Sequence, residues 1–374
     1  MAESRQSIRP KLVSDPELDR LRESIDAIDA AILERLNQRA RVVQEVGRLK
    51  QGAGTAVYAS EREREIVERL CASNSGPFPS AGIGPVFREV ISATRSLERA
   101  LRVAYFGPEG SFTHLAAIEC FGQLADLGAE PGIPEVFNAV ERGSADLGVV
   151  PVENTTQGVV TQTYDRLPEF EGTVTGELQQ RISLALMSRE GRLEDVKSVV
   201  SHPQPLAQCR GWLDRCLPGI ARVEAPSTSA AARQAGADAS LAAIGSALAA
   251  EVYGLQVVES AIEDRHDNTT RFLLLGREQP EPSGNDLTSL VFTLRKDESG
   301  ALHRLLSPFA RCGVNLTSLQ LRPLAGKPWE YLFFVDVEGH RDEPRVREAL
   351  EAAATAANSH RVLGSYPRAA RRRD

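Results

Sequence analysis

The sequence predicts a multidomain chain: an all-α segment, then an α/β segment of two lobes, then an α+β segment. Three observations carry that order. Apolar residues recur in three- and four-residue steps from Leu18 to Val46, as on one face of a helix. From Leu101 to Leu275 short β-branched strands alternate with helical runs. After the linker QPEPSGND the order becomes strand, helix, strand, strand, helix, strand, which is a ferredoxin-like sandwich. The 374 residues are long enough for about two or three domains.

Composition excludes several function classes. A net charge of -7 argues against nucleic-acid binding, which exploits a basic face. The five cysteines are an odd number without a CxxC pair, so neither a disulfide framework nor a metal site is expected. No window approaches ~18 consecutive apolar residues, and the first residues are polar, so a cytoplasmic protein without membrane contact is expected.

Residues 1–15 read as a disordered tail. Asp15-Pro16 is a helix start signal, and the helix should run to about Lys50. Its stripe comprises Leu18, Leu21, Ile25, Ile28, Ile32, Leu36, Val43 and Val46, and Arg39 and Lys50 fall where further members belong. At ~100° per residue these two cations point in nearly one direction. They either meet an anion or reach water from the edge of the stripe. Arg22 points roughly 80° to 100° away, so a ligand shared by all three implies a second copy of the chain. After QGAGT, Ser60 opens a charged helix containing Arg62 and Glu63; the loop SNSGPFPSAGIGP leads to a third helix with Thr94 and Glu98.

This set of residues resembles the all-helical chorismate mutases. The resemblance implies a mutase domain over 16–100, in which Arg22, Arg39, Lys50, Arg62, Glu63, Thr94 and Glu98 bind chorismate and Lys50 and Glu98 are catalytic. Thr94 stands where that family usually has serine, and Ala59 where some relatives carry aspartate. Interlocked homodimers are implied, with Arg22 reaching the partner's site. The reaction is an intramolecular pericyclic rearrangement, so cations suffice to fold the dianion and to stabilise charge on its breaking ether oxygen. Glu98 can help only when protonated.

From Leu101 the strand LRVAYFG leads into GPEGSFTH, where Ser111 should cap a helix. That helix start can hold an anion, although most such turns bind nothing. The strand DLGVVPVENTTQGVV ends in the polar cluster Glu153, Asn154, Thr155 and Thr156. A second lobe begins near Ser188, with SHPQPLAQC at a strand end; His202 before a proline reads as a turn residue. The chain then returns through DRHDNTTRFLLLG to complete the first lobe. Two α/β lobes with a cleft between them resemble periplasmic-type binding folds.

GPEGSFTH, VPVENT, SHPQPLAQC and YGLQVVESAIEDRHDNTTRFLLL, in this order, resemble prephenate dehydratase over 101–278. The resemblance gives Thr270 the essential position. It implies prephenate binding by Glu153, Asn154, Thr155, Ser201, Gln208, Thr270 and Arg271, with Arg271 and Phe272 also holding Thr270 in place. Loss of carbon dioxide and water aromatises the ring, and Thr270 could donate a hydrogen bond to the departing hydroxyl in a dry cleft. The plainer alternative makes Thr270 a cap.

Residues 287–367 resemble the amino-acid-sensing ACT domain, implying phenylalanine binding by Gly300, Ala301, Leu302, Asn315 and Arg322. Gln320-Leu321 replace the usual Glu-Ser. Residues 368–374 form a basic tail. The three-domain order resembles the bifunctional chorismate mutase/prephenate dehydratases. It implies conversion of chorismate to prephenate and then to phenylpyruvate, with phenylalanine feedback, no cofactor, and a homodimer or larger assembly. Two rivals are a dehydratase whose helices only dimerise and a non-catalytic aromatic-acid sensor. Cations on an apolar face disfavour the first, and the lack of a recognisable output module disfavours the second.

Overall fold

The structure, a computed structural model, describes residues 16–51, 60–97, 100–294, 298–324, 326–327 and 329–369. At 50, 51, 60 and 61 only the helical backbone is described. The described residues form two compact units, 16–51 with 93–97 and 60–92 with 100–369.

Helix α1 (Pro16–Gln51) starts on a proline with Glu17 and Asp19 in its first turn, where acids suit the helix dipole. Its apolar stripe is largely exposed among the described residues. Leu18, Leu21, Ile25, Ile28, Ile32 and Val46 are 42–58% exposed. Helices α2 (Ser60–Ser73) and α3 (Ser80–Ser96) follow. The third begins earlier than the Gly/Pro content suggests, taking in Pro85; Ile83 is buried and holds that first stretch.

The first lobe comprises β1 (Arg102–Phe106), α4 (Phe112–Phe121), β2 (Asp126–Glu130), α5 (Ile133–Glu141), β3 (Leu147–Asn154), β4 (Gly158–Val159), α6 (Thr161–Arg166) and β5 (Thr173–Arg181). The second comprises β6 (Ala185–Ser188), β7 (Ser198–Ser201), α7 (Pro203–Gln208), α8 (Arg210–Cys216), β8 (Ala221–Glu224), α9 (Thr228–Ala237), β9 (Leu241–Gly245), α10 (Ala247–Tyr253) and β10 (Gln256–Glu259), in sheet order β10-β6-β9-β7-β8. Strand β11 (Thr269–Gly276) then returns to the first sheet, giving β2-β1-β3-β11-β5. It lies antiparallel between β3 and β5, so Thr270 faces Asn154 on one side and Gln180 on the other.

The C-terminal sandwich comprises β12 (Asp286–Thr293), α11 (Ala301–Arg311), β13 (Leu316–Pro323), β14 (Tyr331–Glu338), α12 (Pro344–Ala356) and β15 (Ser359–Pro367), in sheet order β13-β14-β12-β15. One sheet face packs on α11 and α12 through Leu290, Leu305, Phe309 and Val346. The other shares a core with the first lobe, where Leu287, Phe334, Leu363 and Tyr366 meet Val152, Tyr164, Phe170 and Leu273. Burial on both faces makes DLTSLVFT buried almost throughout instead of alternating. At Gly364 an added Cβ would lie 2.1 Å from the Val174 carbonyl oxygen, so β15 and β5 approach too closely for any side chain. The linker is held too: the Gln279 amide donates to the Ser365 carbonyl and accepts from the Thr173 hydroxyl. Among the described residues no helix is long and apolar enough to cross a membrane.

Candidate active sites

Strand alternation sends Asn154 and Thr270, cross-strand neighbours, to the same sheet face. There they form a neutral network with the Thr155–Gln157 turn, the end of α7 and Asn268. Asn154 Oδ1 accepts from the backbone N–H groups of Thr156 at 2.9 Å and Gln157 at 3.1 Å. Those groups can only donate, which settles the orientation of the amide. Its Nδ2 therefore donates to Thr270 Oγ1 and Asn268 Oδ1, both at 2.8 Å. Thr156 Oγ1 lies 2.7 Å from Asn154 Oδ1 and 2.9 Å from Asn268 Oδ1, two acceptors for its one proton. Gln208 closes the ring at 3.4 Å, donating to Thr156 and accepting from Asn268.

Asn154, Asn268 and Thr270 are buried. The Thr270 oxygen receives a hydrogen bond, and its own proton has no acceptor among the described residues. That leaves a hydroxyl held as an acceptor by the protein and able to donate to a ligand. Asn268 and Thr156 were not among the residues expected to bind prephenate. Asn268 could have been found, since it lies two residues before Thr270 and thus on the same side of an extended chain.

Other expected members take framework positions. Thr155 Oγ1 donates to the Asp267 carbonyl and accepts from Thr269 N–H, tying the turn to β11. Ser201 is fully buried and donates to the Ile244 carbonyl at 2.7 Å. His202 caps α7, accepting from Gln204 N–H. Ser111 caps α4 by accepting from His114 N–H. His114 Nδ1 accepts from Gly110 N–H, and burial lowers its pKa, which favours the neutral ring that this acceptor role needs. The second lobe pins this turn: Ser246 donates to the Gly110 carbonyl at 2.6 Å and Tyr253 to the Glu109 carbonyl at 3.0 Å.

Arg271 and Glu153 depart from the expected prephenate set. Next to Thr270 in an extended strand, Arg271 projects from the opposite face. Its guanidinium pairs with Glu177 at 2.6 Å and Asp336 at 2.7 Å, and donates to Tyr366 at 3.1 Å. Burial opposes its charge, but Asp336, Tyr366 and Glu177 outweigh burial and raise its pKa. Glu153 is the register partner of Arg271. Strand alternation sends it to this far face as well, opposite Asn154.

In the smaller unit Arg39 donates to the buried Thr94 hydroxyl, joining two of the expected chorismate residues. Arg22 pairs with Asp19 at 3.2 Å. In the larger unit Arg62 pairs with Glu65 at 3.0 Å, and Glu63 is half-buried. Glu98 and the Lys50 side chain lie outside the described residues.

In the sandwich, Gly300 takes φ +74° as the cap of α11, with Ala301 and Leu302 in its first turn. Asn315 is exposed, and its carbonyl accepts from Glu338 N–H. Arg322, expected to bind phenylalanine, makes a two-pronged ion pair with Asp165 of α6 at 2.9–3.2 Å. Among the described residues no group of three His, Cys, Asp or Glu side chains is placed to hold a metal ion.

A two-lobed α/β domain with a polar cluster at its strand ends is thus joined in one chain to a ferredoxin-like sandwich and to helices that carry cations. Three family models match in chain order: Chorismate mutase type II over residues 21–99, Prephenate dehydratase over 103–280 and ACT domain over 288–355. The bifunctional chorismate mutase/prephenate dehydratase of Aquifex aeolicus is 43% identical over 94% of this chain and 98% of its own. A prephenate dehydratase from Arthrobacter aurescens, solved in complex with L-Phe, is 36% identical with a TM-score of 0.66, covering 71% of this chain and 89% of that one. GqqA, described as a novel type of quorum quenching acylase, is 31% identical with a TM-score of 0.67, covering 72% of this chain and 99% of that one. The chain belongs to the bifunctional chorismate mutase/prephenate dehydratase family.

Proposed function

We propose that this enzyme rearranges chorismate to prephenate in its helical segment and converts prephenate to phenylpyruvate at the cluster around Thr270. The observation that carries the second half is the fixed Asn154 amide, which makes Thr270 an acceptor within the protein and leaves its proton for the substrate. The bond from the ring to its carboxylate breaks and carbon dioxide leaves. That electron pair enters the ring, the ring C–O bond breaks, and the hydroxyl departs with the bonding pair and takes a proton from solvent to become water. A threonine is too weak an acid to ionise, so Thr270 acts as a positioned donor to this leaving oxygen. Asn154, Thr156, Gln208 and Asn268 hold it, with Thr155 and Ser201 in the frame. The fold also carries the acylase above, so fold alone does not choose the reaction; the site and the full-length bifunctional relatives do.

For the mutase half, Arg22, Arg39, Lys50, Arg62, Glu63, Thr94 and Glu98 are the proposed chorismate set. The Arg39–Thr94 contact and the exposed α1 stripe support it. A second copy of this chain covers that stripe and brings its Arg22 to the site. If protonated Glu98 assists the ether oxygen, mutase activity declines as pH rises and the Glu98→Gln variant flattens the decline. A variant with the wild-type pH profile would contradict that role. The sandwich is proposed to sense phenylalanine through Gly300, Ala301, Leu302 and Asn315, supported by the L-Phe complex of the Arthrobacter relative. A cytoplasmic location completes the proposal. Chorismate conversion by the purified protein tests the whole assignment.

A further inference from the structure

Thr270 and Arg271 are neighbours on β11 that point to opposite faces, one into the dehydratase cluster and one into the junction with the C-terminal sandwich. We propose that Arg271 is a positioning residue through which the C-terminal sandwich holds Thr270 at the dehydratase site. The proposal rests on Thr270 being the donor described above.

The Arg271 side chain is 14% exposed and is held from two domains at once. Glu177, on β5 of the first lobe, takes its Nε; Asp336, on β14 of the sandwich, takes Nη1; and Tyr366, on β15, takes Nη2. The receiving groups are themselves held, with Ser289 donating to Asp336 Oδ1 at 2.6 Å and pairing with the Tyr366 hydroxyl at 2.6 Å. A planar guanidinium engaged on three sides has little freedom to tilt.

The local backbone makes that restraint matter. The register of β11 against β3 slips between Arg271 and Phe272, one residue beyond Thr270. A slip interrupts the ladder and re-aims adjacent side chains, so the β3 side does not set the Thr270 position by continuous pairing. Arg271 supplies a side-chain anchor at that point, and two of its three partners belong to the sandwich. Reacting groups tolerate little displacement: about 1 Å of misplacement can cost ~10²-fold in rate. Movement of the sandwich is therefore felt at Thr270 as a change in turnover, while the contacts that bind substrate remain.

The test uses the full-length protein and the Asp336→Asn variant, which keeps size and one of the two acceptor oxygens but removes the charge. On prephenate, kcat should fall about 10- to 30-fold with KM within about 2-fold of wild type, because a displaced donor weakens the transition state more than the ground state. Mutase kcat on chorismate, measured on the same preparation, should be unchanged. The comparison is Arg361→Gln, at the same junction but away from Arg271, where Arg361 donates to the carbonyls of Pro168 at 2.9 Å and Gly172 at 3.3 Å. It should lower the melting temperature yet keep dehydratase kcat. If Asp336→Asn does not fold, Ser289→Ala, which frees one Asp336 oxygen, should lower kcat about 3-fold. Wild-type kcat in the folded Asp336 or Ser289 variant, or an equal kcat loss in Arg361→Gln, would overturn the proposal. An active Thr270→Ala variant would overturn the Thr270 assignment instead.

Discussion

Replacing Thr270 with alanine should lower dehydratase kcat about 10²- to 10³-fold, the scale seen when one preorganised donor to a developing charge is removed. Mutase turnover should stay at the wild-type level. The protein should fold, because Asn154 Nδ2 retains its bond to Asn268 Oδ1 when the threonine oxygen is lost. The missing bond costs about 1 kcal/mol of stability. Thr270→Ser keeps the hydroxyl and should recover most of the turnover. If Thr270 were only a strand-end cap, the alanine variant would retain its dehydratase rate. Steady-state assays on prephenate, with mutase activity as the internal control for folding, separate the two.

The second large effect is the reverse. Lys50→Ala and Arg39→Ala should each lower mutase kcat/KM about 10²- to 10³-fold, because the rearrangement has no nucleophile and depends on fixed positive charge. Prephenate supplied directly should still be converted at the wild-type rate. Arg39→Ala also removes a hydrogen bond to the buried Thr94 hydroxyl, so its loss combines binding and geometry. A helical segment serving only dimerisation would show no mutase activity to lose. Assaying both reactions on each variant distinguishes these readings.

The layers of this chain were legible because each has its own period. The three-to-four spacing marks α1, the alternation of strands and helices marks the two lobes, and βαββαβ marks the sandwich. The return of β11 to the first lobe could also be read from where its apolar run falls. Less legible was what each element faces. Arg271 follows the proposed donor Thr270 in sequence, yet strand alternation alone sends it to the other face, where Asp336 of a different domain receives it. That pairing joins residues 65 positions apart and leaves no local pattern. Arg322 is similar: a motif residue by resemblance, it is engaged in space by Asp165.

The α1 stripe was plain in the sequence, and among the described residues it stays largely exposed. The shared core between the first lobe and the sandwich was hidden because a strand buried on both faces reads the same whichever partner lies on the second. Asn268 was not expected at all, and Thr156 only as part of the strand-end cluster, because isolated polar residues in turns are common. Only the closing of their hydrogen-bond ring distinguishes them.

The most direct test of the two-activity assignment is a time course with the purified protein and chorismate alone. Chorismate should disappear, prephenate should rise and then fall, and phenylpyruvate should accumulate without any added cofactor. Unchanged chorismate, or prephenate that accumulates without conversion to phenylpyruvate, would contradict it.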